Sequence, residues 1–445
     1  MSASTAPPPL LDKRAIWAIA LPAMITNVAT ALIGIADMWI VGQLGDAPTQ
    51  GAVDIGARLF AVLFTVMNFL KTGTTGLVAQ AGSRTGLKQQ AQVLLQGLLV
   101  GLVIATLLLF ARPVVLPTML DLLGADGAVR AAAGSYAGIR YWSAPAVMAN
   151  FAAIGFLVGQ RRMKTVLVVE IAYNFLNVAL GLLLALQLDW GIAGIGWSSL
   201  IAEYAKLMAV ALIVLRGDTR RAIGERIATG GIARLDELRP FLSVNRDLFV
   251  RTLILTIALA VLTRISAERG AVTLAANGII YQLFIFTALL LDGFENAAQV
   301  LNGERAGAND RRGFAAYIPA ILLRGLAVAA LTAAIFALFA DAILASFAAT
   351  PEVRVMAHSL APWLVVIPFA GVAGFVLDGV FVGASWTRAL LIAMACATAV
   401  FAVALWLTWP LGSHGLWLSF VIFLMARAAF QCILLPRLMR SSFPH

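Results

Sequence analysis

The feature that most constrains this chain is a succession of apolar stretches, each long enough to cross a lipid bilayer. A bilayer core of about 30 Å takes about 20 apolar residues per helix. Twelve stretches meet that length, near 15–41, 53–80, 91–111, 131–160, 165–188, 191–215, 247–267, 272–302, 313–340, 355–383, 389–409 and 416–436. Nothing is left over for a soluble domain. Charged residues make up 12% of the chain and hydrophobic ones 61%, against roughly 25% charged in a soluble domain. The fold class is therefore an all-α polytopic membrane protein.

The connecting segments give an orientation. With the N-terminus in the cytoplasm, the inner side holds Lys13, Arg14, Arg84, Lys88, Arg161, Arg162, Lys164, the basic run 216–246, Arg305, Arg311, Arg312, Arg388, Arg437 and Arg440. The outer ends hold Arg58, Arg112, Arg130, Arg264, Arg269 and Arg354. Basic residues concentrate on the cytoplasmic side of membrane proteins. Both termini are thus expected inside, and the net charge of +10 reads as topology and lipid headgroup contact rather than nucleic-acid binding. The opening residues show no short apolar core followed by a small-residue cleavage site, so no cleaved signal peptide is expected.

The longest polar interruption falls near the midpoint and suggests two halves. The expected organisation is a cytoplasmic tail 1–14, an N-lobe 15–215, a cytoplasmic linker 216–246, a C-lobe 247–436 and a cytoplasmic tail 437–445. The halves resemble one another. Around GFLVGQRRMKT and GVFVGASWTRA, Gly155 aligns with Gly379, Gly159 with Gly383 and Lys164 with Arg388, all 224 residues apart, and the same offset sets Val129 and Arg130 over Val353 and Arg354. Six spans per half is an even number, so the halves start on the same side. They are then related by a pseudo-two-fold axis along the membrane normal, as two six-helix bundles facing a central cavity.

Ionisable residues inside spans are costly, roughly 2.5 to 3.5 kcal/mol at mid-helix, and often functional. In the first span Asp37 shares a helix face with Asn27, Thr30 and Gly34. The alternative is a hydrogen-bonded carboxylate holding two helices together. In the fifth span Glu170, Asn174 and Asn177 share a face; Asn150 and Tyr141 of the fourth join the same expected cavity, where the amides serve substrate or ordinary helix packing equally well. Glu203 and Lys206, three apart in the sixth span, most simply neutralise each other. In the second half Asp292, Glu295 and Gln299 share a face toward the cytoplasmic end of the eighth span, with Arg251 as a partner. These residues and Asp378 read either as an inner-gate salt bridge or as substrate ligands. Pro22 removes a backbone hydrogen bond early in the first helix and permits bending there.

No phosphate-binding GxxxxGK[ST] loop occurs, so ATP is not the expected energy source. The three His, at 358, 414 and 445, are scattered, and Cys396 and Cys432 lie in apolar runs, so no metal site is expected. No constellation points to an enzyme.

Three stretches, LPAMITNVATALIGIADMWIVGQLG in the first span, GTTGLVAQAGSRTG ending the second and ANGIIYQLFIFTALLLDGFENAAQVLNGERAG across the eighth, resemble the multidrug and toxic compound extrusion (MATE) family over essentially the whole chain. The likeness is strongest to its DNA-damage-inducible protein F (DinF) branch. It implies a V-shaped, alternating-access antiporter of the cell (inner) membrane that exports organic compounds in exchange for protons or sodium, without a bound cofactor. The family's first-span acid falls on Asp37, its helix-bending proline on Pro22 and its fifth-span amide on Asn177. The second acid that some members carry four residues after that amide is here Gly181, which favours protons over sodium. The expected function is export of cationic or amphipathic small molecules by a monomer in the bilayer, coupled through Asp37. A flippase for lipid-linked precursors and an exporter of organic acids stand as alternatives.

Overall fold

The computed structural model describes residues 11–43, 47–230, 235–348 and 350–443; side chains of 32–38, 41, 47–50 and 235 lie outside the described residues too. Every regular element described is helical. In lipid a backbone has no water to satisfy its N–H and C=O groups, so a spanning segment satisfies them within itself. The helices are α1 (Lys13–Gln43), α2 (Ala47–Met67), α3 (Phe69–Arg84), α4 (Leu87–Leu122), α5 (Gly127–Arg140), α6 (Ala144–Gly159), α7 (Met163–Gly181), α8 (Gly191–Val214), α9 (Gly217–Ala228), α10 (Leu235–Glu268), α11 (Ala271–Gly307), α12 (Arg311–Phe347), α13 (Pro351–Gly383), α14 (Thr387–Thr408) and α15 (Gly412–Ser442).

The expected spans are all present. The second is broken at Asn68 into α2 and α3, and the fourth is α5 and α6 joined by a 3₁₀ turn, Tyr141–Ser143. The fifth continues past α7 as a π-helical segment, Leu182–Gln187. Large apolar side chains such as Phe110, Phe175, Leu338 and Trp406 are more than three-quarters exposed. Each would forgo about 1.5 to 3 kcal/mol of burial in water, which a surrounding bilayer supplies instead.

The chain divides into two compact units, and the division runs through two helices. Residues 1–24 and 250–445 form one unit, 25–249 the other. Residues 15–24, expected in the N-lobe, thus cluster with the C-terminal half. In that unit Trp17 packs edge-on against Phe294 at 5.5 Å, and the Asp12 N–H donates to the Tyr317 hydroxyl at 3.1 Å. In the segment 216–246, expected as a linker, the described residues hold α9 and the start of α10 and pack within the N-terminal unit. Arg226 of α9 donates to Gln89 at 3.1 Å, and Gln96 of α4 donates to the Glu237 carbonyl at 2.9 Å.

Each unit packs around its repeated glycines. In the N-terminal unit α6 lies against α3, α4 and α8; in the other, α13 lies against α11, α12 and α15. A Cβ on Gly155 would stand 2.6 Å from the Lys71 carbonyl oxygen, and one on Gly379 would stand 2.2 Å from that of Glu295. Lys71 and Glu295 are themselves 224 apart, so the same glycine meets the same repeat position in both units. The helices ending at Gly159 and Gly383 are followed by left-handed residues at Arg161 (φ 60°) and Ser385 (φ 58°), again 224 apart. The repeat legible in sequence is a repeat of backbone contacts.

Candidate functional site

In the N-terminal unit, polar side chains from α6, α7 and α8 converge inside an otherwise apolar bundle. The Lys206 ammonium lies 2.6 Å from the Glu170 carboxylate, with about a tenth of each side chain exposed, and 4.6 Å over the Tyr173 ring. The Tyr173 hydroxyl donates to Glu203 Oε1 at 2.8 Å. The Asn150 amide donates to Glu203 Oε2 at 3.0 Å and reaches its carbonyl oxygen at 3.1 Å. Lys206 therefore neutralises Glu170 across the α7–α8 interface, not Glu203 on its own helix as the spacing suggested. Glu170 is buried. A partner on a facing helix lets the lysine stem lie along apolar surface while its head meets the carboxylate.

The expected cavity amides fall in the same bundle. Asn150 and Asn177 are buried, and the Ser198 hydroxyl lies 3.2 Å from Asn177 Oδ1. Both polar atoms of Asn174, Asn150 Oδ1 and Ser199 Oγ are buried without a hydrogen-bond partner among the described residues. Buried polar atoms are normally satisfied, so these open positions suit water or a passing ligand. Tyr141 sits differently: its ring is fully buried in the apolar cluster with Ile195, 6.3 Å from the Phe60 ring.

On α1, Thr30 donates back to the Thr26 carbonyl at 2.9 Å, and Asn27 is partly buried. Pro22 lies inside α1, which continues through it as one helix. The unit division follows two residues later, after Met24. Asp37 and Gly34 belong to α1 by backbone, but their side chains are outside the described residues. A Cβ on Gly181 would meet Ile40 Cδ1 at 3.0 Å; the space an acid would occupy there is closed by a fully buried isoleucine.

The second unit holds a buried ion cluster of its own. Asp378, with no exposed surface, pairs with Arg427 at 2.5 Å, pairs with Arg251 and accepts from Gln431 Nε2 at 2.5 Å. Arg427 also stands 5.5 Å from the Phe375 ring, a cation–π contact. Glu295 lies within electrostatic reach of Asp292, Asp378, Arg251 and Arg427. Arg251, expected beside Asp292 and Glu295, is thus held by Asp378. Arg427, an arginine within a span, and Gln431 were not among the expected site residues, although a buried arginine demands a carboxylate partner and few acids were available to it.

Comparison with known proteins matches this architecture. The MatE family profile fits residues 22–183 and 248–407. The chain is 32% identical over 416 residues to DNA damage-inducible protein F of Escherichia coli, covering 93% of this chain and 90% of that one. It is 25% identical to the probable multidrug resistance protein NorM of Chromobacterium violaceum, covering 93% and 91%. The solved structure of a MOP superfamily transporter from Pyrococcus furiosus superposes with a TM-score of 0.86 at 18% identity over 97% of both chains, a likeness of fold. A helical membrane protein whose halves repeat one packing scheme and bury charge in each bundle, the chain belongs to the MatE family of multidrug and toxic compound extrusion transporters, which are not enzymes.

Proposed function

We propose that this transporter exports organic compounds, cationic or amphipathic, in exchange for protons, with Asp37 as the coupling carboxylate. One observation carries the reading: α1, the helix that bears Asp37, belongs to both compact units, through Met24 to one and from Ile25 to the other. Protonation of an acid on a helix shared by two bodies changes the helix that links them, and Pro22 lowers the cost of bending it. Uptake of a proton from outside neutralises Asp37 and releases substrate; loss of the proton inward resets the carrier. Such exchange requires proton and substrate to favour opposite states, a linkage of binding free energies. The basic residues of the connecting segments favour cytoplasmic termini in an inner-membrane location, and the chain acts as a monomer without a bound cofactor.

The cluster around Asp378 sets three carboxylates, with Asp292 and Glu295, against two guanidiniums. That balance disfavours organic acids and lipid-linked anions as cargo. The test is efflux of ethidium from everted vesicles under an imposed pH gradient. Asp37→Asn is expected to abolish gradient-driven efflux while the protein remains folded. Full transport by that variant sinks the proton role, and flipping of a labelled lipid precursor in liposomes without ethidium transport reverses the choice of cargo.

A further inference from the structure

We propose that Glu203 is a second proton-carrying carboxylate of the N-terminal unit, exchanging one proton in a buried site it shares with Glu170, Lys206, Tyr173 and Asn150. Its role in each transport cycle rests on the proton-coupled reading above; its protonation does not.

Two carboxylates, Glu170 and Glu203, stand beside one ammonium, and that ammonium is committed to Glu170 at 2.6 Å. Among the described residues Glu203 forms no ion pair; its partners are the neutral Tyr173 hydroxyl and Asn150 amide. Among the described residues, the helices packed on α8 present few other charges to it: Glu170 from α7 and, acting on Tyr173 from α5, Arg140. Two acids thus share one cation inside the bundle, so one carboxylate is left without a counter-charge, and one proton taken up there balances the site.

The site is also equipped for both states. With Glu203 ionised, each carboxylate oxygen accepts a hydrogen bond, from Tyr173 and from Asn150. With Glu203 protonated at Oε2, the new O–H needs an acceptor. Asn150 Oδ1 is buried with no partner among the described residues, and half a turn of that amide exchanges its donor for this acceptor. Amide orientation is set by the hydrogen-bond network, so the proton on Glu203 selects the orientation of Asn150. The proton itself comes from and returns to water, and no other bond changes.

The test reads protonation directly. Full-length protein in lipid vesicles, with no substrate added, is followed by infrared difference spectroscopy from about pH 5 to about pH 9, a range spanning the ordinary carboxyl and histidine values. Glu203→Gln, an isosteric change, is expected to remove a protonated-carboxyl C=O band that Asp37→Asn retains. Tyr173→Phe deletes the hydroxyl that donates to Glu203 and is expected to shift the pH dependence of that band; an unchanged pH dependence overturns the proposal should Glu203→Gln fail to fold. Difference spectra that are identical in Glu203→Gln and the unaltered protein overturn the proposal. So does loss of the band with unchanged proton-driven ethidium efflux, which removes Glu203 from the cycle. Retained ethidium efflux in Asp37→Asn, with the Glu203 band present, refutes the role of Asp37 and leaves this site standing.

Discussion

Asp378→Asn is the substitution whose cost can be worked most fully from the structure. The side chain is completely buried, and its carboxylate is shared by Arg251, Arg427 and Gln431. The change keeps shape and an acceptor oxygen for Gln431 while removing the charge that both guanidiniums face. Breaking a buried ion pair from one side costs about 3 to 5 kcal/mol, because the remaining charge is left uncompensated. Here Glu295 acts on both arginines and takes over part of the compensation, which sets the expectation at about 3 kcal/mol, the lower end of that range. For a body of this size that corresponds to a fall of about 6 to 12 °C in melting temperature. Thermal unfolding of the detergent-purified protein measures it. Arg427→Met keeps a long apolar stem against Phe375 and Phe423, so the double variant is expected to recover at least about 1.5 kcal/mol relative to the sum of the singles. A melting temperature within about 1 °C of the unaltered protein for Asp378→Asn, or simple additivity in the double variant, refutes the view that this carboxylate holds the cluster together.

Two further outcomes are expected. Gly155→Ala and Gly379→Ala each drive a methyl group into a backbone carbonyl, at 2.6 Å and 2.2 Å; overpacking of this kind costs about 1 to 3 kcal/mol, with Gly379→Ala the worse of the two by melting temperature. Pro22→Ala restores a backbone donor inside α1, where proline costs about 3 kcal/mol, and is expected to preserve or raise the melting temperature while slowing ethidium efflux.

The spans were legible because their lengths and apolarity answer to one constraint, the thickness of the bilayer. The repeat was legible because close helix contacts admit only glycine, and Gly155, Gly159, Gly379 and Gly383 mark those contacts at fixed spacing. Partners between helices were not. Spacing along one helix pointed Lys206 to Glu203, but a flexible lysine reaches as easily across an interface, and the facing Glu170 lies 36 residues earlier. Likewise nothing local to Arg427 names Asp378, 49 residues away. The place of residues 15–24 was hidden for a related reason. An uninterrupted helix gives no sign of which of two bodies each of its turns packs against.

The repeat carries one step further, to the charges. In the last helix of each half, Gly191 aligns with Gly412, Gly194 with Gly415 and Ser198 with Ser419, each 221 residues apart rather than 224. The three-residue difference falls between Lys164 and Gly191, a stretch that includes the π-helical Leu182–Gln187. On the 221 offset Lys206 stands over Arg427. Both halves thus bury a cation at the same position of the last helix, and each fixes a carboxylate on a neighbouring helix, Glu170 on α7 and Asp378 on α13. A carboxylate locked to a buried cation is poorly suited to gain and lose protons, because each protonation would strand that cation. Beside each pair stands a further acid, Glu203 in the first bundle, held by Tyr173 and Asn150, and Glu295 in the second. The cation positions therefore mark the acids that hold the bundles together.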